Sequence, residues 1–178
     1  MNITVYLGAD EGKDPSLRES IAKLGTWIGE SGNCLVYGGS KTGLMGVLAK
    51  SVLSAGGKAI GVEPVFFVEQ GFQLEGLTQL IVTRDMSERK AKMVELGDAF
   101  IALPGGTGTL EEISEIMSKT SLGHLNAPCI IYDHNGYYRG LKQLLDKMIE
   151  QGLSTKERQS QILFAENIDD VIRFCSFR

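Results

Sequence analysis

From Phe100 to Glu112 the chain passes from an apolar run through Pro104-Gly105-Gly106-Thr107-Gly108 into an acidic stretch, Thr109-Leu110-Glu111-Glu112. Gly105, Gly106 and Gly108 let the backbone approach a ligand closely, and the free N–H groups of a following helix would point at it. An anion, above all a phosphate, suits such a turn. Glu111 and Glu112 are the unusual part, since carboxylates repel a bound phosphate unless they face another portion of the ligand. The spacing therefore points to a reactive centre beside a phosphate anchor.

A second glycine loop, Tyr37-Gly38-Gly39-Ser40-Lys41-Thr42-Gly43-Leu44-Met45-Gly46, also sits between a strand-like and a helix-like run. It is not a Walker loop, because Leu44-Met45 follow Gly43 where Lys and Ser or Thr are required. The first loop is not a dinucleotide fingerprint, because Glu111 occupies a position that needs a small residue. Taken singly, each loop is an ordinary strand-to-helix turn. Two on one sheet edge favour a ligand the size of a mononucleotide.

Thr109-Leu110-Glu111-Glu112 also fits a capping box, with Thr109 as the cap and Glu112 bonding back to it. Asp85-Met86-Ser87-Glu88 fits the same pattern, which makes Asp85 a cap and Glu88 a helix-start residue. By composition alone, Arg89 and Lys90 read as a solvated helix face. His124 and His134 fall in loop-like stretches and read as surface residues.

The elements that must position these groups follow from hydropathy. Short apolar runs at 3–7, 34–37, 59–63, 79–83, 99–103 and 129–132 read as buried parallel strands. Between them lie helical spacings: Leu17, Ile21, Leu24 and Ile28; Leu44, Val47, Leu48 and Val52; Met86, Met93 and Leu96; Leu110, Ile113 and Met117. A further stripe of Leu141, Leu144, Leu145, Met148 and Ile149 precedes Ile162-Leu163-Phe164 and a last helix. Alternation of this kind predicts one α/β domain over 1–178: a doubly wound, Rossmann-like, mostly parallel sheet with helices on both faces. Ligands of such sheets bind beyond the carboxyl ends of the strands, where the glycine loops fall. The aperiodic stretch 71–76 is a candidate flap over that edge.

The chain has 178 residues, 43% of them hydrophobic, with a net charge of −4. That balance argues against a general nucleic-acid or membrane-surface binder, which needs a positive field. Cys34, Cys129 and Cys175 are odd in number and set in apolar contexts, so they are expected to be reduced core thiols. Two histidines without ligand-spaced partners give no metal site. The opening residues show no signal peptide, and the expected location is cytoplasmic.

Pro104-Gly105-Gly106-Thr107-Gly108-Thr109-Leu110-Glu111-Glu112 matches the pattern P-G-G-x-G-T-x-x-E, and Met86-Ser87-Glu88-Arg89-Lys90 matches M-x-x-R-K. Together with Tyr37-Gly38-Gly39 and Gly43-Leu44-Met45-Gly46, they resemble the Lonely Guy (LOG) family of cytokinin riboside 5′-monophosphate phosphoribohydrolases, proteins often mislabelled lysine decarboxylases. The resemblance implies hydrolysis of the N-glycosidic bond of an adenosine 5′-monophosphate, often N6-modified, with no cofactor. It assigns catalysis to Arg89 and Glu112, and the 5′-phosphate to the loop Gly105, Gly106, Thr107, Gly108 and Thr109. Lys90, Glu111, Ser118, Gly39 and Met45 would line the ligand. A homodimer is implied as well, with the helices at 86–96 and 110–117 as interface elements.

Departures from the pattern concern the base. Ser40 stands for a glycine, Ala9-Asp10 for a small hydroxyl pair, and Lys119 for a tryptophan. A second functional class comes with the same fold, a non-catalytic nucleotide or molybdenum-cofactor carrier. A pyridoxal-phosphate lysine decarboxylase would need a Schiff-base lysine in a much larger fold, and neither is visible.

Overall fold

Seven strands form one sheet, every neighbouring pair parallel, in the order β4-β3-β2-β1-β5-β6-β7. The computed structural model describes residues 1–176. The strands are β1 (Asn2–Tyr6), β2 (Cys34–Tyr37), β3 (Lys58–Pro64), β4 (Gln79–Thr83), β5 (Ala99–Ala102), β6 (Cys129–Tyr132) and β7 (Ile162–Ala165). Central strands are buried on both faces, which is why β5 and β6 read as unbroken apolar runs rather than alternating ones.

The helices are α1 (Pro15–Glu30), α2 (Gly43–Ser54), α3 (Val65–Glu69), α4 (Met86–Leu96), α5 (Thr107–Ser121), α6 (Arg139–Glu150) and α7 (Ile168–Ser176). Leu17, Ile21, Leu24 and Ile28 place α1 on one face with Leu44, Leu48 and Val52 of α2 and Ile168 and Val171 of α7. Met93 of α4, Ile113, Ile116 and Met117 of α5, and Leu145 of α6 pack on the other face. The doubly wound expectation is borne out.

This winding places the site. From β1 the chain steps outward to β2, β3 and β4, then returns to β5 on the other side of β1 and continues to β6 and β7. The loop after β1 therefore leaves toward one face and the loop after β5 toward the other. A crevice opens between them at the carboxyl edge, as doubly wound sheets require at a switch point.

Two elements go beyond the six strands and six helices read from the sequence. Ile162-Leu163-Phe164 forms a seventh strand beside β6, and Val65–Glu69 forms a short helix where no periodicity announced one. The stretch 71–76 is pinned to the Gly39 loop: Lys41 N donates to Phe72 O at 2.8 Å, Leu74 N donates to Gly39 O at 2.9 Å, and Ser40 bridges to Gln73.

Candidate active site

α5 begins without a side-chain cap. Gly106 holds the N-cap position in an extended conformation (φ −86°, ψ −162°) and no side chain bonds to the first turn. The amides at the start of the helix therefore stay available to a ligand, reinforced by the helix dipole. The capping-box reading of Thr109 and Glu112 is thus corrected. The cap is Gly106 and the helix starts at Thr107, three residues earlier than a Thr109 cap requires, which moves Thr109 into the first turn and frees Glu112 for another partner.

The turn before this helix is tied down by its carbonyls. Tyr138 Oη donates to Leu103 O at 2.9 Å, Gly8 N to Pro104 O at 3.3 Å and Tyr137 Oη to Gly105 O at 2.5 Å. Three consecutive carbonyls are engaged, and the peptide planes between them are fixed. A side chain at Gly105 would collide with Thr109 Oγ1 and the Gly8 amide, so this close approach needs glycine.

Glu112 lies one turn further along α5 and is 7% exposed. Its Oε1 accepts from Arg89 Nη1 at 2.5 Å. Arg89 is itself buried on α4, where Asp85 caps the helix through Glu88 N at 2.8 Å, and its Nε donates to Val62 O at 3.0 Å. Arg89 is therefore no solvated residue, contrary to the compositional reading. Burial pushes the Glu112 carboxyl upward, and the charge and hydrogen bond of Arg89 draw it back.

Arg89, Glu112, Met45, Gly105, Gly106, Thr107, Gly108 and Thr109 all line one cleft of about 810 Å³. Its size is in the range of small-ligand sites. Leu44, Met45, Phe67 and Met86 contribute apolar lining, and Asp10, Lys13, Asp14, His134 and Asn135 polar lining.

Four expected residues lie outside the lining of this cleft in the single chain. Lys90 Nζ instead meets Glu111 Oε1 at 2.6 Å along the outer α4–α5 surface, Ser118 is exposed on α5, and Gly39 sits against Glu63. The polar lining was not foreseen. Asp14 caps α1 and accepts from Ser16 N at 2.9 Å; its Oδ2 meets His134 Nε2 at 3.1 Å, while His134 Nδ1 meets Tyr132 Oη at 2.8 Å. Hydrogen bonds from the Ser16 side chain and backbone hold the Asp14 carboxyl down at about 2. An Asp before a Pro is a helix-start signal, but nothing in the local sequence pairs Asp14 with His134, 120 residues away along the chain.

A family model described as "possible lysine decarboxylase" matches residues 45–175. A cytokinin riboside 5′-monophosphate phosphoribohydrolase of Rhodococcoides fascians is 40% identical over 172 residues, spanning 96% of this chain and 87% of that protein. The chain belongs to the LOG family. An Arabidopsis thaliana LOG protein with the same activity name is 36% identical over 171 residues, covering 96% of this chain and 79% of its own. Among solved structures, the molybdenum cofactor carrier protein of Chlamydomonas reinhardtii aligns with a TM-score of 0.74 at 19% identity, over 99% of this chain and 98% of that one. The molybdenum cofactor binding protein of Rippkaea orientalis gives 0.71 at 23%, over 97% and 93%. These two share the LOG fold.

Proposed function

We propose that this LOG-family chain hydrolyses the N-glycosidic bond of adenosine 5′-monophosphates, N6-substituted ones included, to the free base and ribose 5-phosphate. One observation carries the reading: a buried Arg89–Glu112 pair stands in the same cleft as the uncapped start of α5. Glu112 follows Thr107 by five residues, a rise of about 7.5 Å along the helix axis. That is the order of distance between a 5′-phosphate and the anomeric carbon.

In this reading the amides of the first turn hold the phosphate, and binding energy from that unreacting group fixes the sugar. As the C1′–N bond breaks, its electron pair leaves with the base and positive charge builds at C1′ and the ring oxygen. Glu112 stabilises that charge electrostatically or by covalent attack. Water then supplies a hydroxyl to C1′, and its proton ends on the departing base. Arg89 orients the carboxylate or assists the leaving base.

Incubation with a panel of nucleoside 5′-monophosphates, with chromatography of released base, tests this. Release from AMP or an N6-substituted AMP, lost in Glu112→Gln and in Arg89→Ala, is the expected result. Unchanged turnover in both variants refutes it. Tight nucleotide binding without base release would favour a carrier role, a second reading prompted by the fold shared with the molybdenum cofactor carriers.

We also propose a homodimer joined through α4 and α5. Met86 of α4 and Leu110 of α5 expose 37% and 44% of their surface, apolar area that a second copy could cover. Light scattering of the purified protein at twice the chain mass of 19.4 kDa would agree with it. A cytoplasmic setting is supported by three cysteines that all remain free. No described helix is long and apolar enough to cross a membrane.

A further inference from the structure

Behind the floor of the cleft lies a second buried carboxylate that the scheme above does not use. Glu63, near the end of β3, is 2% exposed, and its Oε2 has no hydrogen-bond partner among the described residues. A buried carboxylate without donors destabilises a fold, and an apolar side chain of similar volume would serve packing better. Such a group is kept for a reason other than stability.

A matching donor is close by. Arg89 directs Nε to Val62 and Nη1 to Glu112, and neither bond uses Nη2. Nη2 lies against Gly38, 2.5 Å from where a side-chain carbon would stand, while Glu63 Oε2 lies 3.1 Å from the same point on Gly39. Gly38 thus leaves room for the arginine nitrogen and Gly39 for the carboxylate oxygen, which do not come within ion-pair distance of each other. Gly39 has φ +87°, a conformation that glycine alone adopts without strain. Among the described residues Glu112 is the one ion-pair partner of Arg89, so Glu63 acts on it through space.

Charge counting shows what this could accomplish. A one-to-one Arg89–Glu112 pair is neutral and offers little to a cation developing on the ribose. With Glu63 the three groups carry a net charge of −1. The groups facing Glu63 are Arg89 from α4 and Tyr37 from β2. Burial lifts the Glu63 carboxyl and Arg89 draws it partly back, leaving it at about 6, while burial and Glu63 both push the Tyr37 hydroxyl upward. Glu63 is accordingly ionised at neutral pH.

We propose that Glu63 is a positioning residue for the glycosidic cleavage, an inference that rests on the function proposed above: its charge offsets that of Arg89 from the Nη2 side, leaving Glu112 free to act on the ribose. The phosphate anchor is untouched by this role. Loss of Glu63 should therefore slow the chemical step and spare substrate binding.

The test measures kcat, KM for the best nucleoside monophosphate of the panel, and thermal midpoint in the parent, Glu63→Gln and Glu63→Leu. The expected result is a kcat lower by about 10- to 100-fold, a KM within about threefold, and a midpoint equal to the parent or higher by about 2–4 °C. Slower catalysis in an equally or more stable protein is not what a packing residue gives. A kcat within twofold of the parent in both variants, or a kcat loss accompanied by a lower midpoint in both, overturns the proposal. Absence of base release by the parent removes the function itself, and this inference with it, which is a separate outcome from a normal parent and normal variants.

Discussion

Arg89 Nη1 and Glu112 Oε1 lie 2.5 Å apart with each side chain only 7% exposed, so neither charge can be removed without stranding the other in a low-dielectric site. Arg89→Ala is expected to lower stability by about 3–5 kcal/mol, because the carboxylate left behind has lost its cation. Glu112→Gln keeps the shape, costs less, and still abolishes most turnover. The double variant Arg89→Met/Glu112→Leu should recover much of the stability of the single arginine variant with no recovery of activity. Urea unfolding beside a base-release assay separates the two effects.

Gly105→Ala probes the anchor rather than the chemistry. Its new carbon would press on Thr109 Oγ1 and on the Gly8 amide, and the turn must shift to relieve that contact. KM for the nucleotide is expected to rise by about tenfold or more, since misaligned donors lose charge-assisted bonds to phosphate. Isothermal titration with ribose 5-phosphate should show the same loss. Equal affinity in parent and variant would detach the loop from phosphate binding.

Tyr137→Phe removes one donor from the Gly105 carbonyl and nothing else of size. The expected destabilisation is about 0.5–1.5 kcal/mol. Because Tyr137 also lines the cleft, the larger effect should appear in nucleotide affinity. A variant with parent-like affinity would mean that the turn holds its geometry without this tether.

Stability should depend on pH through Glu63. Its folded value of about 6 lies above the ordinary 4.5, so the folded state binds this proton more tightly than the unfolded chain does. Stability from this group is thus greatest below pH 4.5, declines as pH rises through about 6, and levels off above; the span is about 2 kcal/mol. Asp14, held down at about 2, acts in the opposite sense, and its contribution disappears only as pH falls toward 2. The difference in unfolding free energy between Glu63→Gln and the parent, near zero at pH 4.5, should favour the variant increasingly up to pH 7. A difference independent of pH would place the Glu63 charge elsewhere.

Six strands and six helices were legible from period and β-branched content because each is a long, regular pattern. β7 was less so: Ile162–Ala165 is a short edge strand, half-buried, and recognisable chiefly by its pairing with β6. α3 carries no buried residue, so it has no apolar stripe to read. Arg89 and Glu112 show the sharper limit. Each fits an innocuous local role, one on a solvated face and one in a capping box, and only the packing of α4 against α5 brings them together. Family resemblance singled them out where local pattern could not. Glu63 stood inside a correctly read strand and drew no notice, since a lone acid in an apolar run signals nothing until its neighbours are known.

The three engaged carbonyls of Leu103, Pro104 and Gly105 tie the turn down before any ligand arrives, so binding has less ordering entropy to lose. Such an anchor does not distinguish the substrate from ribose 5-phosphate, which carries the same group after the base has gone. Ribose 5-phosphate is therefore expected to compete with the nucleotide for the same amides, so that added sugar phosphate raises the apparent KM for base release without lowering kcat.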